Sequence, residues 1–319
     1  MPSRVFPFQV HCSSSVYIDH VAKGVTDEEQ WTWKGNTLES IALTGNTQGE
    51  IAFTYADNRV SMVTNTGSQR VLRYSYAGGT MSHYSVDVDG EQEASVSVTR
   101  NSEGRISGAD IYFSGRYVMD MTSRFRNGDD ALITARPAYR QAMEQLSSTM
   151  EWMGVSDNDV DSKLDHNFKL VFNWYDGNVA SEVMDGAVRL EIDPQRVADN
   201  LSLLPEAVQA LVYSYLSSHN KLPAKIAFSN VVTYTFDEKE NPYHGYQGDG
   251  LTALNLSKNN ILTANTDGNI RVSLLVFGRE ITLSDRNVSD KAERTYLYNE
   301  KGYPVQIAGD GLTVLTYRE

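Results

Sequence analysis

One acidic run of the chain has the spacing of the first ligands in a calcium-binding loop. Positions one, three and five of such a loop correspond to Asp157, Asp159 and Asp161. The loop also needs a glycine at position six and a bidentate glutamate at position twelve, where this chain has Ser162 and Phe168. We therefore expect a solvated acidic loop that follows a helix and holds no calcium.

Other catalytic and metal-binding patterns are missing from the sequence. The six histidines are scattered, and no two of them have the four-residue spacing of a helical zinc motif. There is no GxSxG nucleophile elbow, and Cys12 in a tail is a poor candidate for a nucleophile. The sequence therefore predicts no catalytic residue, no cofactor-binding residue and no metal ligand.

Glycoside hydrolysis and phosphate binding by a glycine-rich loop are two further functions to consider from the sequence. A glycosidase requires only two carboxylates in a suitable geometry. The chain has 41 Asp and Glu residues, and their spacing does not identify a particular pair. The glycine-rich run 245–250 has neither the GxGxxG nor the P-loop order, and we predict a flexible loop there. A hydrolase with dispersed carboxylates stays an alternative to a non-enzymatic protein.

The aromatic composition has the best claim to a function. The chain has 18 tyrosines beside 10 phenylalanines and 4 tryptophans. Tyrosine and tryptophan on one sheet face can stack on sugar rings, but cross-strand aromatic pairs also stabilise a sheet, and we favour the second interpretation. The residues considered for such a face are Trp31, Trp33, Trp174, Tyr74, Tyr76, Tyr296 and Tyr298.

Composition narrows the class of protein. The 319 residues carry a formal net charge of −13, which argues against binding to nucleic acids or anionic membranes. Hydrophobic residues at 40% and charged residues at 22% are typical of a globular chain. A single cysteine excludes an internal disulfide, and the longest apolar runs, such as 274–277, are far shorter than the about 20 residues of a membrane-spanning helix.

The elements that position these residues are mostly strands. The segments 51–63, 71–84 and 94–106 each read as an alternating strand, a turn rich in Asn, Asp or Gly, and a second strand. The pair Asp176-Gly177 predicts another hairpin turn. Further strands are predicted at 168–174, 187–192, 270–277 and 312–317.

Helices interrupt these strands at two or three places. Apolar residues recur at helical spacing in Ala138 to Met153 and again from Val208 to Leu216, where Pro205 and Glu206 fall in the first turn. A shorter helical turn can begin at Asp193. Each longer helix has one apolar face, so we expect both to pack on the sheet.

The C-terminal third carries motifs in a characteristic order, namely Tyr234-Thr235-Phe236-Asp237, Asn241-Pro242-Tyr243, residues 256–261, and residues 296–305 from Tyr296 to Val305. In these motifs the chain resembles a family of secreted lipoproteins of gut anaerobic bacteria, a domain of unknown function with a porin-like fold. The resemblance is clearest over residues 165–319 and looser over 31–135. It implies an antiparallel sheet curled into a partial or complete barrel and a place in the cell envelope, and it implies no activity.

The motif residues also have a direct structural interpretation. Tyr296 and Tyr298 point to one face of a strand, and Gly302 supplies a positive φ in the following turn. We expect these motifs to shape turns, with a ligand role for Tyr243 or Asn259 as the alternative.

The N-terminus bears on localisation. The first ten residues lack the apolar core of a signal peptide. Cys12 followed by three serines has the pattern of a lipid-anchored cysteine with a polar tether, but on these residues alone we favour a free thiol in a flexible tail. The resemblance nevertheless implies an extracytoplasmic address in the cell envelope or at the surface.

These observations combine into one prediction. We expect a mainly β protein, an antiparallel meander of hairpins in a strongly curved, partial-barrel, porin-like sheet with two or three amphipathic helices packed on it. Residues 1–30 form a flexible tail and 31–319 a single domain with a soft seam near 155–165. The predicted function is non-enzymatic binding or a structural role, with a glycan, lipid or envelope protein as partner; a hydrolase is the alternative and a membrane pore is less favoured.

Overall fold

A computed structural model describes residues 15–20, 25–35, 37–45, 48–116, 148, 166–195, 201–202, 204–247, 250–309, 312–315 and 317. Three predicted features lie outside the described residues. They are Cys12, the acidic loop around Asp159, and the helix predicted from Ala138 to Met153, of which only Ser148 is described.

The described residues are mainly β, as predicted, and form one large antiparallel sheet. Strands β1 to β14 pair with their neighbours in chain order, as do β15 to β17, and only Arg294 separates β14 from β15. β17 also pairs with β1, whereas no register joins β14 to β15 among the described residues, so the sheet is not closed into a complete barrel. The strands are β1 (Ser15–His20), β2 (Val25–Lys34), β3 (Thr37–Thr44), β4 (Gly49–Ala56), β5 (Arg59–Asn65), β6 (Arg70–Ala77), β7 (Thr80–Val88), β8 (Glu91–Arg100), β9 (Ile106–Phe113), β10 (His166–Tyr175), β11 (Asn178–Ile192), β12 (Leu222–Glu240), β13 (Asn259–Val276), β14 (Arg279–Glu293), β15 (Thr295–Tyr298), β16 (Pro304–Ala308) and β17 (Leu312–Val314).

The core lies on one face of this sheet because side chains alternate between the two faces of each strand. In β12, Leu222, Ile226 and Val232 are almost fully buried, while Ser229 and Thr233, at alternate positions, are exposed. Burying each such aliphatic side chain contributes about 1.5–3 kcal/mol. The alternation therefore defines a buried face and an outer face along β12 and along the strands that pair with it in the same way, such as β11 and β13.

The structure confirms the hairpin turn that the sequence predicts at Asp176 and Gly177. Asp176 and Gly177 have φ values of 44° and 77°, the left-handed region that a two-residue hairpin turn requires. The strands themselves are longer than predicted, since the segment 187–192 is only the end of β11. Phe277, predicted as the end of a strand, instead occupies a turn with φ 51°.

Two helices occur in the described residues. α1 (Glu206–Leu216) confirms the predicted helix and buries Val212, although Pro205 precedes the helix as its cap. α2 (Ala253–Leu256) was not predicted. At Asp193 the structure shows a turn in which its Oδ1 accepts a hydrogen bond from the Gln195 N–H at 2.9 Å.

Two strands begin within the predicted N-terminal tail. β1 lies entirely inside residues 1–30, and β2 begins there at Val25. In the parts of the chain that the structure describes, no helix has the length and apolar character to cross a membrane.

Replacing Gly302 by valine tests the turn between β15 and β16. Gly302 has φ 84°, and a Cβ added there would meet nothing within 4 Å, so the expected cost is backbone strain alone. Since β-branched residues tolerate positive φ worst, we expect Gly302→Val to lower the free energy of unfolding by about 1–3 kcal/mol in urea titrations. Gly302→Asn, the matched control, should cost less, and equal stability of the valine variant and the wild type would contradict this account of the turn.

Candidate functional site

The outer face of β8–β11 carries a groove with a volume of about 630 Å³. Its side chains come from four neighbouring strands and lie in two rows that cross the strands. Residues that oppose each other on paired strands project to the same face of the sheet. The register of the sheet therefore determines which side chains meet in the groove.

The first row places a lysine between two aspartates. Ser97 pairs with Asp110, Asp110 with Lys169, and Lys169 with Asp185. All four residues are exposed. Lys169 thus has an aspartate beside it on each neighbouring strand, and no ion pair within 4.0 Å joins it to another residue that the structure describes.

The second row contains Tyr112, the one outward aromatic side chain among the described residues that line the groove. Tyr112 pairs with Ser95 on β8 and with Asn167 on β10, and Asn167 pairs with Ala187 on β11. Tyr112 is half-buried. The short side chains of Ser95 and Ala187 leave space at both ends of the row.

A buried row separates these two rows and forms the floor of the groove. Phe168 pairs with Ile111 on one side and Gly186 on the other. A Cβ added at Gly186 would lie 2.3 Å from Cδ1 of Phe168, so the phenyl ring lies over this glycine on the buried face. The ring also contacts Phe113 and Phe228 with centroid distances of 5.0 Å, which makes the floor a well-packed part of the core.

The aromatic residues selected from the sequence lie elsewhere. Trp31 and Trp33 stack at 6.4 Å between ring centroids, and Trp31 also contacts Tyr243 at 6.2 Å and Tyr246 at 5.3 Å. Tyr243 and Tyr246 belong to the β12–β13 connection, residues 241–258. Trp31 therefore packs against this connection, and Trp33 stacks on Trp31.

The other five predicted aromatic residues occupy separate positions. Tyr296 and Tyr298 stack at 6.1 Å, and Tyr74 pairs with Tyr84 on the next strand at 5.4 Å. The remaining two lie near arginines, with Tyr76 at 5.5 Å from Arg59 and Trp174 at 5.7 Å from Arg105. The seven aromatic residues do not form one continuous face.

A flexible loop was predicted at residues 245–250, within the β12–β13 connection. Hydrogen bonds instead hold the described residues of this connection against their neighbours. Asn241 donates through Nδ2 to the carbonyl of Ser257 at 3.0 Å, and Tyr74 donates its hydroxyl to the carbonyl of Gln247. Gly250 is buried with φ 73°, and a Cβ added there would lie 2.5 Å from the hydroxyl of Tyr84. The glycine at position 250 thus permits a close approach to the sheet.

Asn259, the alternative ligand residue, has structural partners. Its Oδ1 accepts from Nδ2 of Asn178 at 3.0 Å, its N–H donates to Oδ1 of Asn178 at 3.0 Å, and its Nδ2 donates to the carbonyl of Lys239. These bonds attach the connection to β11 and β12.

An Asp–Tyr pair lies at the same end of the sheet. Tyr298 donates its hydroxyl to Asp237, which also accepts from Nδ2 of Asn260 at 3.1 Å. Burial raises the pKa of the Tyr298 phenol, and the hydrogen bond to Asp237 and its charge raise the pKa further. The pair therefore keeps the tyrosine protonated as a hydrogen-bond donor.

None of the groove residues was a candidate from the sequence. Asp110, Lys169 and Asp185 come from three strands, and only the strand register brings them together. Among the described residues, no group of three His, Cys, Asp or Glu side chains is placed to hold a metal ion. The groove thus offers hydrogen-bonding and stacking contacts to a ligand.

No protein-family model matches the chain, and no curated protein matches it. A solved structure of a porin-like protein from Bacteroides uniformis aligns over 96% of each chain with 10% identity and a TM-score of 0.31. A similarity at this level carries no conclusion about this chain, and the lipoprotein family indicated by the C-terminal motifs stays a prediction.

The stability of the protein at high pH tests whether the Tyr243 phenol is buried at this end of the sheet. Burial of its phenol raises its pKa above the usual 10, and the charge of Glu29 raises the pKa further. The folded state therefore holds this proton more tightly than the unfolded state, so the stabilisation is complete below pH 10 and is lost as the pH rises towards the folded pKa.

We expect Tyr243→Phe to lose less stability than the wild type between about pH 8 and about pH 11, by roughly 1 kcal/mol. Urea unfolding at the two pH values measures this difference. Tyr175→Phe is the control, because Tyr175 is 77% exposed. Identical alkaline losses in Tyr243→Phe and the wild type would show that the Tyr243 phenol is not buried in the folded state.

Proposed function

We propose that this protein is a non-enzymatic binding module of the cell envelope and that it binds its partner on the outer face of the sheet. The observation that carries the proposal is the opposite polarity of the two faces. The buried face is occupied by the protein's own core, whereas the outer face is polar and has a groove.

The longest strands show this polarity clearly. On β13, Val272 and Leu274 are buried, while Arg271 points outwards and pairs with Asp285 at 2.9 Å. Lys225 on β12 likewise contacts Glu280 at 3.1 Å across the outer face. A transmembrane barrel has the reverse pattern, with an apolar band facing lipid, and an Arg or Lys there costs about 2–4 kcal/mol at the bilayer midplane. A barrel-like domain with its outer face in water is therefore favoured over a pore.

The envelope location is supported by the sequence motifs. The order of the motifs from Tyr234 to Val305 resembles envelope lipoproteins, and Cys12 with its serine tether is typical of a lipid anchor. We propose an extracytoplasmic address on this basis.

A hydrolase is the second candidate, because the groove holds two carboxylates on either side of one strand. Asp110 and Asp185 are separated by two strand spacings, which places their Cα atoms about 10 Å apart. Inverting glycosidases hold their carboxyl groups at about 6.5–9.5 Å. Both aspartates are exposed, however, whereas the general acid of a glycosidase lies in an apolar pocket. Binding without hydrolysis is therefore favoured.

Purification and conductance test the non-pore proposal. We expect the protein to purify from the aqueous phase without detergent and to produce no conductance steps in a planar bilayer, because its charged outer pairs oppose insertion. A known porin incorporated in the same bilayer is the positive control. Recovery only in detergent, together with discrete single-channel steps, would refute the proposal.

Product analysis separates binding from hydrolysis. We expect no cleavage of oligosaccharides after prolonged incubation with the wild type. Cleavage that is abolished in both Asp110→Asn and Asp185→Asn would instead establish the hydrolase. Ser229→Ala, which also lies on the outer face, is the control for unrelated surface changes.

A further inference from the structure

We infer that the groove on β8–β11 binds a neutral glycan, which lies across the strands with one sugar ring stacked on Tyr112. The inference rests on the proposed binding function and names the ligand class and the contact residues. It follows from four features of the groove: its polar side chains, its charge, the Tyr112 ring and the pairing of its strands.

The polar side chains of the groove suit hydroxyl groups. The carboxylates of Asp110 and Asp185 accept hydrogen bonds, the ammonium group of Lys169 donates them, and the amide of Asn167 does both. Sugar hydroxyls both donate and accept, so one sugar can bond to neighbours of either kind. A ligand with only donors or only acceptors would leave part of this set unsatisfied, which is costly once the groove is covered.

The charge of the groove disfavours anionic ligands. Two aspartates outnumber the single Lys169, and the whole chain has a formal net charge of −13. A sulfated or uronic-acid-rich chain would approach against this potential. A neutral chain avoids the repulsion and still uses the charged side chains as strong hydrogen-bond partners.

Tyr112 supplies the apolar contact that a sugar needs. It is half-buried in the second row, with the short Ser95 opposite it on β8. An aromatic ring presents an apolar face with little rotamer entropy to lose, which suits the C–H face of a pyranose. The groove spans four strands, or three spacings of about 4.8 Å, so it accommodates more than one sugar ring.

The strand pairing argues against an extended peptide as the ligand. A peptide that adds to a sheet needs the unpaired N–H and C=O groups of an edge strand. Strands β8, β9, β10 and β11 each pair with a neighbour on both sides, so no edge is offered here. A lipid tail is also disfavoured, because Ala187 is the only outward aliphatic side chain among the described residues that line the groove.

Isothermal titration calorimetry with neutral oligosaccharides tests the inference, using gluco-, xylo- and manno-oligosaccharides as probes. We expect the wild type to bind at least one of them and Tyr112→Ala to bind it about tenfold or more weakly, the loss of one stacking contact. Tyr112→Phe should retain most of the affinity. Tyr175→Ala is the matched control, since Tyr175 is an exposed tyrosine outside the groove.

The double variant Asp110→Asn and Asp185→Asn examines the polar row. We expect weaker binding of the neutral probe, because the strong charged acceptors are lost, and a gain for the anionic probe polygalacturonate, because the two repelling charges are removed while Lys169 remains. Thermal melts of all variants confirm that they are folded before binding is compared.

Several results would overturn the inference. They are an unchanged affinity in folded Tyr112→Ala, tighter binding of polygalacturonate than of every neutral probe, and no binding of any oligosaccharide. Binding of a peptide or lipid vesicle in the groove would refute a glycan as the ligand but would still support the proposed binding function. Cleavage of a bound oligosaccharide that is lost in both aspartate variants would refute the proposed non-enzymatic function itself.

Discussion

The alternation of side chains in a pleated sheet is the constraint from which the rest of this structure follows. Each strand must place every second side chain on the same face, and here one face carries the large hydrophobic core of the described strands. An apolar face of this size has to be covered. The β12–β13 connection and α1 contribute to that cover, with Val212 and Leu251 almost fully buried. The outer face is then free to carry polar residues.

Covering a sheet with irregular chain creates a second requirement, because buried backbone groups need hydrogen-bond partners. Asparagine meets this need, since its amide both donates and accepts as a peptide group does. Asn241, Asn255 and Asn259 bond to carbonyl or amide groups in and around the β12–β13 connection. The Asn residues of the C-terminal motifs are therefore explained by structure, and they need no ligand to account for them.

The accuracy of the sequence predictions depends on how local each signal is. The turn at Asp176 and Gly177 and the helix around Val212 follow from a few adjacent residues, and both are present. The length of β11 was underestimated because the buried polar Glu182 and the half-buried Gly186 interrupt its apolar alternation. α2 has only four residues, which is too short to show a helical period.

The groove was missed for a different reason. Residues 110, 169 and 185 are adjacent only because three strands pair in one particular register, and a shift of one residue would move each side chain to the opposite face. Neither spacing nor composition records that register. Only the polar alternate positions of each strand were visible in the sequence, and they predict an outer face without indicating which strands are neighbours.

The same register explains how a groove on the outer face can be well defined. Its floor is backbone paired on both sides and supported from below by the Phe168 ring, which packs on Gly186 and against Phe113. Side chains that project from such a floor lose little backbone freedom when a ligand binds, so less of the interaction energy is spent on ordering the site. The outer side chains also contribute little to the core, because Ser97, Asp110 and Asp185 are exposed. In the proposed binding function, recognition and folding depend on opposite faces of the same strands, so a substitution in the outer row can change the ligand preference while the buried row keeps the fold.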